Sequence, residues 1–248
     1  MIPGLVFIVG LALGSFLNVV IYRLPREESF GFNRSYCPEC ETRLKALDLV
    51  PVFSFLFLGG KCRYCGTEIS YRYPIIELLT GAALVGIYLQ YGLTPEFIIY
   101  GVFALLLIIG GTVDLEEMII PNQITYLGFG LGLAASLVGG HLTFFDALLG
   151  AVVPAGLLLI IALVTGGMGM GDVKLAAVMG SFLGWAEALT AIFLGSLVGS
   201  LIAVVLLVKK EKTGKSKMPF GVFMALGGLV MSVVGTELLD LYWQLIVS

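Results

Sequence analysis

Apolar residues dominate long, almost uninterrupted stretches of the chain, and polar residues are confined to short breaks between them. Eight stretches approach or exceed the about 20 apolar residues needed for a helix to cross a bilayer. They cover residues 2–22, 74–92, 95–113, 122–139, 144–165, 172–185, 187–208 and 219–239. The sixth is the shortest and carries charge at its start. The first has no positive residue before its apolar core and no small-residue cleavage site after it, so it reads as a retained span rather than a signal peptide. One segment, residues 23–73, breaks the pattern with a long polar loop. The expected architecture is an α-helical polytopic membrane protein of about eight transmembrane helices with a small zinc-binding cytoplasmic domain. Its divisions are a first transmembrane helix (1–22), the loop domain (23–73) and a multi-helix membrane domain (74–248).

Composition supports a membrane protein. Of the 248 residues, 58% are hydrophobic and 12% charged, against about 25% charged in soluble domains. Mean hydropathy is +1.03. The formal charge of −3 matters less than where the charges lie. All 14 lysines and arginines fall in three places. Eight lie between the first two spans, five in "KKEKTGKSK" from Lys209 to Lys217, and the last is Lys174. With eight spans these places share one side, which the positive-inside rule makes cytoplasmic. Both termini then face outward. No basic patch suited to nucleic acid is present.

The polar loop holds every cysteine, as "CPEC" (Cys37, Cys40) and "CRYC" (Cys62, Cys65). Two CxxC pairs separated by 21 residues suit a tetrahedral zinc site built from two knuckles. A cytoplasmic location argues against disulfides. Four thiolates leave no open coordination position, so the zinc is structural.

Three carboxylates sit where apolar stretches begin or end. Asp114 opens "DLEEMIIPNQI", Asp172 lies in "GGMGMGDVKLA", and Glu77 follows "RYPII". All three map near the cytoplasmic boundary. Two aspartates held close in a poorly hydrated site cannot both ionise easily, and such a pair can activate water. A lone Asp172 would merely cap its helix. The adjacent Gly169 and Gly171 instead suggest room for a substrate backbone, or positive φ. Glu116 and Glu117 read as solvated faces and Lys174 as an interfacial anchor. The glycine loop matches neither the dinucleotide nor the P-loop pattern. The single histidine, His141, lies in an outward loop and cannot supply a Ser-His-Asp triad with these groups. A transporter using paired carboxylates is the rival reading. Such proteins place acids near the bilayer midplane and show repeat symmetry, neither of which is evident.

Together these residues resemble the bacterial type IV prepilin peptidases, the bifunctional leader peptidase and N-methyltransferase enzymes of the GxGD aspartic protease type. The resemblance runs through "GSFLNVVIYRLP" (14–25), the two CxxC pairs, "ISYRYPIIELLTG" (69–81), "DLEEMIIPN", "GMGD" and "KMPFGVF" (217–223), in order along the chain. It implies a multi-pass protein of the bacterial inner membrane that removes the basic leader of type IV prepilins or type II secretion pseudopilins at the cytoplasmic face. It also implies methylation of the new N-terminus with S-adenosylmethionine. The partners implied are these substrates and membrane lipids. By motif match Asp114 and Asp172 are the peptidase pair, while Gly14 and Glu77 are methyl-transfer candidates. The chain departs from the family pattern at Gly59, where "LGGKC" replaces "LRGRC", and at Val222, where "PFGVF" replaces "PFGPF".

Overall fold

The structure is a computed structural model that describes residues 1–28, 35–138, 142–209 and 218–247, with side chains only as far as 235 in the last helix. His141, Arg34 and the lysines from Lys210 to Lys217 lie outside the described residues. Among the described residues the chain is helical, and its extended pairing is limited to two isolated bridges in the cysteine loop.

Among the described residues nine α-helices follow one another. They are α1 (Ile2–Arg23), the short α2 (Phe53–Phe57), α3 (Arg72–Tyr91), α4 (Pro95–Glu117), α5 (Asn122–Leu137), α6 (Phe144–Thr165), α7 (Met170–Leu183), α8 (Trp185–Val208) and α9 (Phe220–Val247). Apart from α2, each coincides with one of the eight apolar stretches. Among the described residues five helices (α1, α3, α4, α6 and α8) are long and apolar enough to cross a membrane. Helix α7 has 14 residues and α5 has 16. At 1.5 Å per residue these reach only about 21–24 Å, short of a hydrocarbon core of about 30 Å. Their shortness is compensated by burial in α7, where ten of the 14 residues are enclosed by neighbouring helices.

The chain divides into two compact units, Met1–Leu89 and Gln90–Ser248. The sequence division at 73/74 follows the change from polar loop to apolar helix; the structural division follows packing, at the far end of α3. In the first unit, α1 and α3 approach so closely that no side chain fits between them. A Cβ on Gly10 would lie 2.6 Å from Cα of Gly81, and one on Gly14 would lie 2.7 Å from Cα of Glu77. This is small-residue packing at a four-residue spacing, which in lipid replaces the missing hydrophobic drive for helix association.

In the second unit α7 is the hub, packed on α5, α6, α8 and α9 and touching α4. Gly150 of α6 and Gly180 of α7 meet backbone to backbone, leaving no space for a Cβ on either. Around this hub the outer helices keep apolar faces exposed, including Leu163 and Val164 of α6 and Leu201 and Val204 of α8. Such faces are expected where lipid is the solvent.

Candidate active site and cysteine centre

The first unit carries the cysteine centre. Two knuckles repeat the same hydrogen bonding 25 positions apart. The Cys37 N–H donates to the Thr42 carbonyl (3.0 Å) and the Cys62 N–H to that of Thr67 (2.8 Å). The residue after each second cysteine takes a left-handed conformation, at Glu41 (φ 55°) and Gly66 (φ 75°). All four Sγ atoms lie within 4.8 Å of one another. The Cys37 and Cys65 sulfurs are 3.9 Å apart, far beyond a disulfide bond of about 2.05 Å. Four thiolates about 2.3 Å from a tetrahedral metal would be about 3.8 Å apart, so the cluster fits such an ion. Burial pushes the Cys37 thiol up to about 11. Hydrogen bonds from the Thr67 side chain and backbone bring Cys65 down to about 6.

A second feature stiffens this loop. The Asp48 carboxylate accepts from the Lys45 N–H (3.0 Å), Arg63 Nε (2.6 Å) and the Tyr64 hydroxyl (2.9 Å). Burial acts to raise the Asp48 pKa, but these three donors outweigh it and hold the carboxyl below its usual range. Asp48 therefore clamps the turn at Ala46–Leu49 to the second knuckle as a carboxylate. Asp48→Ala should cost the loop about 1.5–3 kcal/mol, the range for hydrogen bonds to a charged group. Faster limited proteolysis within residues 42–60 would register this; an unchanged cleavage rate would remove Asp48 from the account.

Glu77 is buried on the face of α3 that meets α1. Its Oε2 accepts from the Val52 N–H (2.7 Å), and the Ser15 side chain also bonds to it. Val52 has φ 62°, a conformation costly for a β-branched residue, so the loop turns sharply to present that N–H. Gly14 lies against Glu77 and owes its small size to that contact. Asn18, one turn beyond Gly14, is 1% exposed. Its Nδ2 donates to the carbonyls of Gly14 (3.2 Å) and Tyr73 (3.1 Å). Those two acceptors fix the orientation of the amide, and its Oδ1 has no partner among the described residues. A buried unpaired acceptor costs about 1–3 kcal/mol. Asn18 was not singled out from the sequence, although Gly10, Gly14 and Asn18 form one stripe at a spacing of four.

The second unit gathers the two aspartates. Asp114 lies one turn before the end of α4, which stops at Met118 in a left-handed conformation (φ 54°). Asp172 lies in the first turn of α7. They are 6% and 9% exposed, and the charge of Asp114 is felt at Asp172. The start of α9 completes the surroundings. The Val222 N–H donates to Asp114 Oδ2 (3.3 Å), and the Gly221 N–H also bonds to this carboxylate. A Cβ on Gly221 would be 2.9 Å from Asp114 Oδ2 and 2.8 Å from Ile120 Cδ1. Ile120 also reaches α7, since a Cβ on Gly171 would lie 3.0 Å from its Cβ. The ends of α4, α7 and α9 thus converge on the two carboxylates, with Ile120 between them. Val222 donates here through a backbone N–H that the proline of the family pattern lacks, so the departure at this position adds a hydrogen bond to Asp114.

Three expectations change in detail. Asp172 does cap its own helix, with Oδ2 accepting from the Gly169 N–H (3.2 Å), and the charge of Asp114 also reaches it; capping does not take it out of range of the second carboxylate. Neither Gly169 nor Gly171 has positive φ; in this segment only Gly166 does (φ 61°). Gly171 is small because Ile120 fills the adjacent space. Lys174 is no free anchor: its Nζ donates to Asn122 Oδ1 (2.7 Å) and lies 5.2 Å from the Tyr126 ring centroid. It ties α7 to the start of α5. Glu116 and Glu117 are exposed, as expected.

Most of the chain is similar in sequence to known proteins. Residues 8–91 match the bacterial peptidase A24 N-terminal domain and residues 101–204 match the type IV leader peptidase family. Proteins named prepilin leader peptidase/N-methyltransferase are similar along nearly the whole chain. That of Aeromonas salmonicida is 35% identical, covering 96% of this chain and 93% of its own. The Bacillus subtilis protein is also 35% identical, over 96% and 97%. That of Pseudomonas aeruginosa is 31% identical, over 96% and 92%. No solved structure matches. With a bacterial A24 N-terminal domain bearing the cysteine centre and the aspartate pair in the region that follows, the chain belongs to the type IV leader peptidase family.

Proposed function

We propose that the chain is a membrane-embedded aspartic endopeptidase that removes the leader from prepilins or pseudopilins and then N-methylates the new terminus. The observation that carries the peptidase reading is the convergence of Asp114 and Asp172, two buried carboxylates from separate helices. One carboxylate, ionised, takes a proton from water as that water attacks the scissile carbonyl. The other, protonated, donates to the carbonyl oxygen; as the intermediate collapses, the first passes the proton taken from water to the leaving amine, and the second recovers its proton as the carbonyl re-forms. Both carboxylates accept a backbone N–H at a helix start, Asp114 from Val222 of α9 and Asp172 from Gly169 at the cap of α7, so either can serve as the base while the other donates the proton. Such a division belongs to the pair as a whole during turnover.

The locations follow from charge. Every basic residue lies in the segments assigned to one side, so the aspartates operate at the cytoplasmic face of the bacterial inner membrane. A prepilin meets them there, with its basic leader in the cytoplasm and its apolar helix in the bilayer. The exposed carboxylates of Glu116 and Glu117 would draw that leader toward Asp114. The paired-carboxylate transporter finds no support, because both acids sit at helix ends and the relatives are peptidases by name.

The four cysteines are assigned to one structural zinc ion, held as a closed tetrathiolate. Methyl transfer is assigned to the first unit and to S-adenosylmethionine. This donor supplies an electrophilic methyl: a nitrogen–carbon bond forms from the amine lone pair as the carbon–sulfur bond breaks, leaving its electron pair on sulfur. The new N-terminus must first lose a proton from its ammonium. Glu77, the buried carboxylate of the first unit, is placed to hold that ammonium and accept the proton.

Mass measurement of a prepilin incubated with the purified protein tests the whole reading. Loss of the leader plus one methyl group is expected with S-adenosylmethionine, and loss of the leader alone without it. An unchanged substrate mass overturns the assignment. Glu77→Gln keeps an oxygen for the Val52 N–H but cannot take a proton. It should lower methylation about 100-fold or more while cleavage changes less than about twofold. An equal fall in both activities, or a lost folded state, would make Glu77 structural.

A further inference from the structure

The first unit contains a cavity of about 690 Å³, within the usual range of about 300–1,000 Å³ for small-molecule sites. Asn18 and Glu77 line it, together with the aromatic side chains of Tyr22, Tyr73 and Phe55. The lining is mostly apolar, and its charged groups are of both signs: Arg23, Arg26, Arg63 and Arg72 together with Glu39, Asp48, Glu68 and the buried Glu77. That composition suits a ligand combining a flat ring system with both a positive centre and a carboxylate, through stacking, cation–π contact and charge pairing. S-adenosylmethionine has this chemistry.

Asn18 adds the feature that packing alone does not explain. A side chain serving only to fasten α1 to α3 needs its two N–H groups, and both are used on backbone carbonyls. The remaining Oδ1 is buried and unpaired among the described residues. An amide oxygen fixed in that way, on a residue lining a cavity, is an acceptor awaiting a donor.

We propose that this cavity is the binding site for the methyl donor, and that Asn18 Oδ1 accepts a hydrogen bond from an N–H of the bound molecule. The inference rests on the methyltransferase reading above and names the site where it operates. Asn18 is a binding residue in this scheme, and Gly14 serves by letting α1 bring it to the cavity wall. The carboxylate of Glu77 retains lone pairs beyond those directed at Val52 and Ser15, so it can face the positive end of the ligand.

The experiment measures binding of S-adenosylhomocysteine to the full-length protein in detergent, by equilibrium dialysis with radiolabelled ligand. It does not depend on turnover. Asn18→Leu removes the acceptor. It should weaken binding at least tenfold, with prepilin cleavage within twofold of the unmodified protein. Because that variant also loses two helix contacts, Ser54→Trp is the second test. Ser54 lines the cavity but makes none of those contacts, and the indole would fill the space and abolish binding. If the unmodified protein binds the ligand and Ser54→Trp binds equally well, the cavity is not the site. If Ser54→Trp loses binding while a folded Asn18→Leu binds normally, the role given to Asn18 is overturned. If the unmodified protein neither binds the ligand nor methylates a prepilin, the methyltransferase reading itself falls.

Discussion

Asn in place of Asp114 or Asp172 is expected to lower prepilin cleavage by at least about a thousandfold, since each variant loses a group that must exchange a proton during the reaction. The structure also indicates that the variants remain folded. An asparagine at 114 still offers a carbonyl oxygen to the Val222 N–H, which donates to Asp114 Oδ2 at 3.3 Å. An asparagine at 172 can accept from the Gly169 N–H in the same way. Each substitution removes one of two mutually repelling acids from a buried location. The melting temperature should therefore be unchanged or slightly higher, the usual trade between stability and activity at a charged site. Methylation of a prepilin supplied already cleaved should continue at the normal rate. Cleavage above about a tenth of the normal rate in either variant would reject the aspartate pair.

Much of this was legible in the sequence, because the bilayer restricts the choices. Long apolar stretches must be helices, since no other single segment satisfies its backbone in lipid. Most of their ends agree with the structure to within a few residues, though α9 continues to Val247, well past the expected end at 239. Helix α4 continues through Asp114 to Glu117, whereas the apolar stretch stops at 113. Asp114 therefore sits on the last full turn of the helix and not in the loop after it. The two cysteine knuckles were equally readable, because CxxC spacing reflects local turn geometry.

Long-range contacts were not readable in this way. Nothing in the order of residues states that the start of α9, 108 positions along the chain, supplies N–H groups to Asp114. The glycines beside Asp172 were expected to give a substrate room or adopt left-handed φ. Neither adopts left-handed φ, and Gly171 lies against Ile120, a tertiary contact that no local pattern encodes. Asn18 was hidden for a related reason. A polar residue within an apolar helix is a functional candidate by default, but which of its atoms remains unpaired depends on where Gly14 and Tyr73 place their carbonyls. The division between units tells the same story. The polar-to-apolar change at 73/74 marks a boundary of solvation, while the packing of Gly10 and Gly14 against α3 marks one of structure.

Removing the metal should have the second large effect, confined to the first unit. Among its described residues the cysteine loop has almost no hydrophobic core. Cys37 and Cys62 are buried, whereas Leu47, Phe53, Leu56 and Phe57 are exposed. A structural zinc ion contributes about 10–16 kcal/mol in small zinc-binding peptides, far more than such a loop can gain from packing. The purified protein should contain one zinc per chain. Cys40→Ser, or exhaustive chelation, should then open residues 35–70 to protease, because neither the Thr42 nor the Asp48 contacts can hold the knuckles once the thiolates repel one another. The Val52 N–H that holds Glu77 belongs to this loop, so methyl transfer should fall at least about 100-fold with it. The aspartates belong to the second unit, and cleavage should fall far less. Metal-free protein with an intact, protease-resistant loop would show that packing alone sustains the fold. Equal loss of both activities would instead show that the cysteine centre supports the peptidase as well.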